Sequence, residues 1–370
     1  MSKKVIIDFR HISAQTGFAS VLKMILQAIN QDTKEYYLLI NNDEFNFENY
    51  LTQNRNIKFV YAKSKPFSLT QNIEIPLLLR KYDIDIFHTI NYDIPLFMFL
   101  CPKCTLVSTI HDLIPYTHKH LHKRSFVKYL YFDFMYNACA KLSDKILTVS
   151  DYSKNEIVKH LKVNPDKVEV IYNSYIGKDN YKKEKTDFSK PVKLFFIGSN
   201  FEHKNILTVV EAVKMLKAKG IETLFNIAGL ETVYTDIIRK YITENNLQEN
   251  VKILGKISNE QVEELYKTSD IFVFPSLIEG FGIPLLEAMN YGLPVISSNK
   301  TVMPEVVGDA GILIEPTSEN FAEKIEYLIN NPQFIEELTQ KGYKRIKNFS
   351  QEKFNENLLN FYKNVEKRTL

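Results

Sequence analysis

Short apolar runs alternate with longer segments of helical period along this 370-residue chain, and this alternation constrains the fold most. Runs rich in Val, Ile and Phe are typical of strands that are buried on both faces. Sustained strand–helix alternation predicts parallel sheets covered by helices. Thirteen runs exceed what one open sheet usually holds, so the sequence predicts two sheets. The runs are Val5–Phe9, Tyr36–Ile40, Ile57–Tyr61, Ile86–Thr89, Thr105–Ile110, Lys145–Val149, Val168–Tyr172, Lys193–Ile197, Thr223–Ala228, Val251–Leu254, Ile271–Phe274, Val295–Ser297 and Gly311–Ile314.

A polar, lysine-rich stretch from Gly177 to Pro191 interrupts this pattern near the middle of the chain. It lacks apolar periodicity, which is typical of an interdomain linker. We therefore expect an α/β protein with a Rossmann-like domain over 1–176, a second over 177–350 and a final helical segment over 351–370. Two doubly wound domains that face each other would leave a cleft lined by the carboxyl ends of both sheets, where such folds bind ligands.

Composition narrows the classes of protein to consider. Hydrophobic residues make up 45% and charged residues 25% of the chain, as in soluble globular proteins. The net charge of +3 is too small to indicate nucleic-acid binding as the main task. No signal peptide is evident in MSKKVIIDF, and the apolar run near Ile94 to Cys101 is too short to span a bilayer. We expect a cytoplasmic protein.

The segment from Ser276 to Asn299, SLIEGFGIPLLEAMNYGLPVISSN, combines glycines, a proline and two glutamates. It follows the predicted strand Ile271–Phe274, so its first part is a loop at the carboxyl end of that strand. Pro284 suits the first position of a helix, where its missing N–H costs nothing. Gly292 suits the position just after the end of that helix. The segment therefore predicts a strand, a glycine loop and a short helix.

This loop has the features of an anion site. Backbone N–H groups near Phe281, Gly282 and Ile283 would point outward at the start of the helix, where the helix dipole favours negative charge. Gly280 and Gly282 would allow a ligand to approach the backbone closely. Phosphate is the ligand that such a loop predicts.

The two glutamates of the segment, Glu279 in the loop and Glu287 in the first turn of the helix, suit a different part of the ligand. Carboxylates beside phosphates would place like charges together, so we expect them to accept hydrogen bonds from hydroxyls instead. A ligand with phosphates in the middle and hydroxyl groups at both ends is a nucleotide sugar.

The motif EGFGIPLLEA resembles the E-x7-E motif of the retaining glycosyltransferases of family 4, which have the two-domain GT-B fold. Other segments resemble the family in the same order along most of the chain, and they are VIIDFRHISAQTGFASV, DIDIFHTINY, STIHDLIP, LTVSDYSKNEIVKHL, VEVIYNSY, FFIGSNFEHKNI, LFNIAGL and VKILGKIS. The resemblance implies a nucleotide-sugar donor as substrate, no separate cofactor, and a final helix that crosses back onto the N-terminal domain. It also implies retention of anomeric configuration by front-face attack, and no residue of the chain indicates a covalent nucleophile.

The resemblance also implies roles for single residues. Glu279 would contact the donor sugar and Glu287 the ribose of the nucleotide. Lys204 would hold the diphosphate, and Gly17 would face it from the N-terminal domain. His111, in TIHDLIP, corresponds to a histidine beside the donor sugar, whereas the adjacent Asp112 is expected to cap or orient. We take His111, Lys204 and Glu279 as the catalytic candidates.

The segment of Lys204 departs from the family pattern. Gly198 opens the loop of this segment and is a further donor-binding candidate, but the arginine that many relatives carry nearby is replaced here by Ser199 and His203. Two readings stay open: Lys204 alone holds the phosphates, or His203 shares the contact, which would make binding pH-sensitive. The first glycine loop is also unlike the family's, so only Gly17 is carried over from it.

Two patterns that suggest metals are set aside. Cys101 and Cys104 form a CxxC, but a zinc site requires a second pair, and Cys104 leads into a strand. Asp83 and Asp85 form a DxD, the metal-binding signature of the other large glycosyltransferase fold, but they precede a strand. We expect reduced cysteines, a solvated turn and no essential metal.

The segments TIHDLIP and VSDYSKNEI resemble most the mannosyl- and rhamnosyltransferases of bacterial surface-polysaccharide assembly. We therefore expect transfer of a sugar, with mannose from GDP-mannose preferred, to a saccharide or lipid-linked saccharide. UDP-hexoses and dTDP-rhamnose stay open as donors. A sugar-nucleotide epimerase of the same fold and a non-catalytic nucleotide-sugar sensor are the alternatives.

The segment from Thr117 to Leu142 is first basic and then strongly aromatic at near-helical spacing. One interpretation is an interfacial helix that binds anionic lipid, which would place the protein on the inner face of the plasma membrane. The other is an amphipathic helix whose aromatic residues fill the core of the first domain.

Overall fold

The computed structural model describes residues 3–11, 18–41, 56–118, 126–175, 181, 188 and 190–366. The chain forms two compact units: unit 1 is Met1–Ser174 with Ser350–Leu370, and unit 2 is Tyr175–Phe349. Most of the predicted linker Gly177–Pro191 lies outside the described residues. Gly17 lies outside them as well.

Unit 1 is built on a parallel sheet of seven strands in its described part. The strands are β1 (Val5–Asp8), β2 (Tyr36–Asn41), β3 (Ile57–Ala62), β4 (Ile86–Thr89), β5 (Thr105–Thr109), β6 (Lys145–Thr148) and β7 (Val168–Val170). Their order is β3-β2-β1-β4-β5-β6-β7, and every neighbouring pair is parallel. The chain runs outward from β1 in one direction and from β4 in the other, so the topological switch point lies between β1 and β4.

Six helices accompany this sheet in the described residues: α1 (Phe18–Asn30), α2 (Gln71–Lys81), α3 (Ile114–Thr117), α4 (Phe126–Leu142), α5 (Asp151–Leu161) and α13 (Gln351–Asn364). The C-terminal helix α13 packs against α1. Gln351 Nε2 donates to the carbonyl of Met24 at 2.9 Å, and Asn355 Nδ2 donates to Gln31 Oε1 at 2.9 Å. The predicted return of the last helix to the first half of the chain is therefore confirmed.

Unit 2 is built on a parallel sheet of six strands in its described part. The strands are β8 (Val192–Ile197), β9 (Thr223–Ala228), β10 (Val251–Gly255), β11 (Ile271–Phe274), β12 (Val295–Ser298) and β13 (Ile312–Ile314). Their order is β10-β9-β8-β11-β12-β13, so the switch point lies between β8 and β11. The helices are α6 (Ile206–Ala218), α7 (Val233–Glu244), α8 (Asn259–Thr268), α9 (Ile283–Asn290), α10 (Met303–Val307), α11 (Ser318–Asn330) and α12 (Pro332–Arg345).

The structure confirms the two predicted parallel sheets and all thirteen predicted strands, with bounds that differ by at most two residues. Each sheet has a buried middle, and strands such as β1, β4, β5 and β11 are buried along their whole length. Apolar runs without alternation are what such strands require, because helices cover both faces.

The CxxC and the DxD both lie just before a strand, as the sequence predicts. Asp83 is exposed in the turn before β4, and Asp85 accepts a hydrogen bond from the Lys4 backbone N–H at 2.9 Å, at the amino end of the sheet. Cys101 and Cys104 are free, buried thiols, and Cys104 directly precedes β5. Within the described residues, no cluster of three or more His, Cys, Asp or Glu side chains is placed to hold a metal ion. None of the helices in this part of the chain has the length and apolarity needed to span a bilayer.

Candidate functional site

Lys204 and Glu279 come from the loops that follow β8 and β11, the two strands at the switch point of unit 2. Parallel strands end at the same edge of a sheet, so these loops lie side by side. The backbone N–H of Leu277 donates to the carbonyl of His203 at 2.8 Å and joins one loop to the other. The sequence therefore folds into a crevice at the place where doubly wound sheets bind ligands.

Lys204 and Glu279 form an ion pair across this crevice. Lys204 Nζ lies 2.5 Å from Glu279 Oε1, and the two side chains are only 17% and 11% exposed. From the sequence we expect these residues to contact different parts of the ligand, whereas the structure brings them together. Each charge compensates the other where water is largely excluded. An incoming anion can replace Glu279 as the partner of Lys204. The carboxylate of Glu279 is then available to accept hydrogen bonds from hydroxyls.

Helix α9 begins beside this pair, as the segment SLIEGFGIPLLEA predicts. Gly282 precedes the first helical residue, Ile283, and has a φ of 92°, a left-handed conformation that favours glycine. It has no side chain with which to cap the backbone N–H groups of the first turn. Gly280 is buried. The buried ring of Phe281 packs edge-on against the ring of Phe349, with ring centroids 5.6 Å apart, and this contact anchors the loop. The structure thus contains the predicted glycine loop and helix N-terminus.

Glu287 lies in the second turn of α9, and the prediction that it lies in the first turn is wrong. The helix begins at Ile283 rather than at Pro284, and this shift moves Glu287 to the fifth helical position. Glu287 Oε2 accepts a hydrogen bond from the Tyr266 hydroxyl at 2.8 Å. Burial raises the pKa of Glu287, and the hydrogen bond from Tyr266 opposes this rise. Helix α8, which carries Tyr266, therefore holds this carboxyl group in place.

Gly198 lies at the end of β8, where the backbone packs unusually closely. Its N–H donates to the carbonyl of Ala228 at 3.0 Å. A Cβ atom on Gly229 would lie 1.9 Å from the carbonyl oxygen of Gly198, so only glycine fits at position 229. The sequence analysis did not single out Gly229, although a glycine directly after a predicted strand is the signal that could have revealed it.

His203 has a buried imidazole that stacks on Phe201, with ring centroids 5.8 Å apart and planes 13° apart. A ring packed in this way is part of the core of unit 2. The arrangement favours the reading in which Lys204 alone holds the phosphates.

Two further residues of the crevice were missed by the sequence analysis. Thr301, after β12, accepts a hydrogen bond at Oγ1 from the backbone N–H of Glu279 at 3.2 Å. Its φ of 46° is rare for a β-branched residue, and such strain is found most often at functional sites. Asn205 is also left-handed, with a φ of 54°, and its Nδ2 donates to the carbonyl of Pro275 at 3.4 Å. Asparagine is enriched in this conformation, so Asn205 carries a weak local signal, whereas none marks Thr301.

His111 lies at the carboxyl end of β5 in unit 1. Its Nε2 donates to the carbonyl of Ile90 at 2.9 Å, which places the proton of the neutral ring on Nε2 and a lone pair on Nδ1. Burial lowers the pKa of His111 to about 4, against the opposing effect of the Ile90 hydrogen bond. The ring is therefore neutral at physiological pH and suited to accept a hydrogen bond. Asp112 Oδ1 accepts from the Ile114 N–H at 2.8 Å at the start of α3, and the expectation that Asp112 caps or orients stays a prediction.

The switch point of unit 1 carries a charged network that the sequence analysis also missed. Arg10 Nε lies 2.9 Å from Asp8 Oδ1, and both side chains are fully buried. Burial alone would raise the pKa of Asp8, but the charge and hydrogen bonds of Arg10 hold it below its usual value. His11 Nε2 lies 3.2 Å from Asp93 Oδ2, so residues that follow β1 and β4 meet here. The sequence signal that could have revealed this network is the presence of charged residues directly after an apolar run.

Each half of the chain matches the model of a known protein family. Residues 177–345 match the family model for glycosyl transferases group 1, and residues 17–175 match the model for glycosyltransferase family 4. The O-antigen chain mannosyltransferase B of Escherichia coli is 29% identical over 298 residues, which cover 77% of this chain and 76% of that protein. The O-antigen chain mannosyltransferase RfbU of Salmonella typhimurium is 31% identical over 57% of each chain.

Solved structures share the fold over nearly the whole chain. A glycosyltransferase from Rickettsia africae has a TM-score of 0.74 at 18% identity and covers 98% of both chains. Anabaena Alr3699/HepE in complex with UDP-glucose has a TM-score of 0.75 at 16% identity and covers 98% of this chain and 100% of its own. At these identities the likeness establishes the two-domain fold.

Proposed function

This chain belongs to the GT-B glycosyltransferases, and from that premise we propose that it is a retaining enzyme that uses a nucleotide-sugar donor. It transfers the sugar to a hydroxyl group of a saccharide or lipid-linked saccharide. The observation that carries this proposal is the Lys204–Glu279 ion pair at the switch point of unit 2, beside the N-terminus of α9. This is the arrangement of charges that a diphosphate flanked by hydroxyl groups requires.

In the proposed complex, the diphosphate binds Lys204 and the backbone N–H groups at the start of α9. Glu279 then exchanges its bond to Lys204 for hydroxyl groups of the donor sugar, and Glu287 accepts from the ribose. Gly198, Gly280 and Gly282 allow the ligand to lie close to the backbone. Two residues of unit 1 stay candidates from the family resemblance: His111, whose Nδ1 lone pair suits a sugar hydroxyl, and Gly17, which lies outside the described residues.

The reaction breaks the bond between the anomeric carbon and the diphosphate oxygen. The acceptor oxygen forms its bond to the same face of that carbon, and the acceptor proton passes to the departing diphosphate. Lys204 and the dipole of α9 stabilise the charge that develops on the leaving group. We propose that these groups suffice without an essential metal or a cofactor.

We propose mannose as the sugar and GDP-mannose as its donor, in the assembly of a bacterial surface polysaccharide. The support is the similarity to the two O-antigen chain mannosyltransferases, together with the segments TIHDLIP and VSDYSKNEI. The names of other relatives include a galactosyltransferase that acts from UDP-galactose, so a donor panel has to decide. We place the reaction in the cytoplasm, at the inner face of the plasma membrane, in keeping with three free cysteines.

A donor panel tests this proposal. The purified protein is incubated with GDP-mannose, UDP-glucose, UDP-galactose and dTDP-rhamnose, and release of the nucleoside diphosphate is followed with and without lipid-linked saccharide acceptors. We expect release from one donor, with GDP-mannose the fastest, and acceleration by an acceptor. Conversion of the donor into its epimer would favour an epimerase, and binding without any turnover would favour a sensor; either result would overturn the proposal.

A further inference from the structure

A polar groove opens in unit 1 beside strands β5, β6 and β7, away from the switch point between β1 and β4. Its volume is about 750 Å³, and all of its lining residues belong to unit 1. Sites for small ligands range from about 300 to 1,000 Å³, so the groove has the size of a binding site. The proposed sugar transfer makes no use of it.

One wall of the groove is a face of the sheet. Thr105 starts β5, Lys145 starts β6 and Glu169 is the exposed middle residue of β7. The register pairs Val107 with Lys145 and Leu147 with Glu169, and alternate residues of a strand share a face, so these three side chains point to the same side. Strands of a doubly wound sheet are usually apolar because helices cover both faces. The polar side chains therefore mark a part of the face that the described helices leave open.

The other wall is one edge of helix α13. Asn357, Asn360 and Asn364 follow an i, i+3, i+7 spacing, which places them in a row along this edge, and all three are exposed. Among the described residues, none forms a hydrogen bond with their side-chain amides. Asparagine is a poor helix former because its amide competes with the backbone. Helix formation therefore does not explain this row, which we call the asparagine row.

Contacts of the opposite edge of α13 hold this wall in place. The Tyr362 hydroxyl lies 2.6 Å from His88 Nδ1 in β4, and the Tyr362 ring packs against Tyr36 of β2, with ring centroids 6.2 Å apart. Beyond the end of the helix, Thr105 Oγ1 donates to the carbonyl of Glu366 at 3.1 Å. The helix thus covers the middle of the sheet and leaves β6 and β7 beside it, so the groove is a fixed feature of unit 1.

The ionisable groups of the groove leave an excess of negative charge. Asp144, Glu169 and Glu366 contribute three carboxylates to its described lining, against the ammonium group of Lys145. Lys145 Nζ already donates to the carbonyl of Asp166 at 2.8 Å. An anionic ligand such as a nucleotide or an anionic lipid is therefore disfavoured here.

Hydroxyl groups are the ligand groups that suit this lining. Amide and carboxylate oxygens accept hydrogen bonds from hydroxyls, and amide NH₂ groups donate to hydroxyl and ring oxygens. The asparagine row extends over about 10 Å, because each helical residue adds 1.5 Å. In the described part of the chain, no cluster of three or more His, Cys, Asp or Glu side chains is placed to hold a metal ion. An elongated, neutral and hydroxyl-rich ligand fits the groove, and a saccharide chain is such a ligand.

We propose that this groove binds a neutral saccharide chain at a second site, separate from the site of sugar transfer. The groove and the candidate His111 lie at opposite ends of β5, because Thr105 starts this strand whereas His111 follows its carboxyl end. A second site would keep a length of the growing polysaccharide on the enzyme between transfers. The inference goes beyond the proposed function, and only the identification of the saccharide with the polysaccharide under assembly rests on that function. Binding in the groove requires neither donor nor transfer.

Photo-crosslinking of the full chain tests the proposal, with mannotriose and maltotriose that carry a diazirine group as the probes. Mass spectrometry of the digested protein should find the label on peptides from residues 144–171 or 351–366. An excess of the unlabelled trisaccharide should suppress this labelling, whereas an excess of GDP should not. The GDP result separates the groove from the crevice proposed for the donor.

A triple variant tests the asparagine row. Asn357→Ala, Asn360→Ala, Asn364→Ala should lower the labelling by about tenfold or more, because the hydrogen bonds of three amides are lost. Alanine favours the helix, so the variant should fold, and its affinity for GDP should stay within about twofold of the wild type. The matched control Asn330→Ala removes an exposed asparagine at the end of α11 in unit 2 and should be labelled like the wild type.

Three results would overturn the proposal. The first is no label on either segment with both probes, and the second is labelling that the unlabelled trisaccharide does not suppress. The third is equal labelling of the wild type and the triple variant when circular dichroism shows both to be folded. Failure of the wild type to bind any nucleoside diphosphate would instead contradict the proposed donor site, and the labelling of the groove would still decide the present proposal.

Discussion

Lys204 occupies a position where its charge is already compensated before any ligand arrives. Its partner Glu279 is 75 residues away in the sequence, and the pairing arises because β8 and β11 are neighbours in the sheet. A lysine that is held by a carboxylate keeps its ammonium group directed into the crevice. Exchange of that carboxylate for a diphosphate then requires little reorganisation of the lysine.

The first prediction concerns Lys204→Gln. Loss of the ammonium group should weaken binding of GDP, or of the nucleoside diphosphate from the preferred donor, by about tenfold to a hundredfold, because hydrogen bonds to charged groups are lost. Isothermal titration calorimetry measures this change. The matched control is Lys219→Gln, which breaks the more exposed ion pair with Glu326 in the same unit and should leave the affinity within about twofold. Equal affinities for both variants would count against the phosphate role.

His88 allows a prediction on pH. It is buried between α13 and β5, with Nδ1 2.6 Å from the Tyr362 hydroxyl and Nε2 2.8 Å from Thr109 Oγ1. Burial, assisted by the charge of His111, lowers the pKa of His88 to about 3 from the ordinary 6.5. The unfolded chain therefore takes up a proton first as the pH falls. Stability from this group is complete above pH 6.5 and is lost as the pH falls toward 3, by about 2 kcal/mol at pH 5.

Urea unfolding at a series of pH values checks this expectation. His88→Gln should lose part of the decline below pH 6.5. His111, whose pKa is also lowered, and carboxylates such as Asp8, whose pKa lies below its usual value, contribute to the rest. Tyr362→Phe serves as the control, because it removes one hydrogen bond, worth about 1 kcal/mol, but leaves the imidazole buried. It should lower stability at every pH without flattening the profile. An unchanged profile in His88→Gln would refute the assignment.

At the scale of elements, α9 is defined at both ends by glycines. Gly282 is left-handed before its first residue, and Gly292 is left-handed after its last turn, with φ values of 92° and 70°. The N–H of Gly292 donates to the Met289 carbonyl at 3.1 Å, and the N–H of Leu293 donates to the Ala288 carbonyl at 2.9 Å. This is the Schellman arrangement, and it confirms the predicted stop at Gly292. The element that presents its N-terminus to the ligand therefore has fixed limits.

Gly282→Ala separates the cost of this conformation from its use in binding. A left-handed alanine should cost about 1–2 kcal/mol of stability, and a Cβ at this position would lie 3.0 Å from Leu285 Cδ1. Gly220→Ala is the matched control, since Gly220 has a φ of 76° and open space around it in unit 2. Thermal unfolding should show a loss of stability in both variants. Only Gly282→Ala should weaken binding of the nucleoside diphosphate, and equal affinities would remove this loop from the site.

The strands and the helix limits could be predicted because their causes are local. Buried parallel strands require apolar runs, and Ser150 and Ser350 cap α5 and α13 by accepting hydrogen bonds from N–H groups three residues later. The exact start of α9 was misjudged by one residue, because proline is accommodated at either of the first two helical positions. That small difference moved Glu287 into the second turn.

At the scale of the whole molecule, the features that the sequence could not predict depend on contacts between segments that are distant along the chain. The order of strands in each sheet decides that Lys204 meets Glu279 in unit 2 and that His11 meets Asp93 in unit 1. The left-handed Thr301 accepts a hydrogen bond from the loop after β11, which is distant in the sequence. The family resemblance supplied Lys204 and Glu279 as candidates, whereas their pairing and the residues that support them came from the fold.

The central claim is that Glu279 contacts the donor sugar at the switch point of unit 2. The most direct test is the rate at which Glu279→Ala releases the nucleoside diphosphate from the preferred donor, measured beside the wild type at saturating donor and acceptor. Loss of a group that acts on the reacting sugar should lower this rate by about a hundredfold or more, whereas the nucleoside diphosphate alone should still bind. A correctly folded Glu279→Ala protein that turns over at the wild-type rate would contradict the claim.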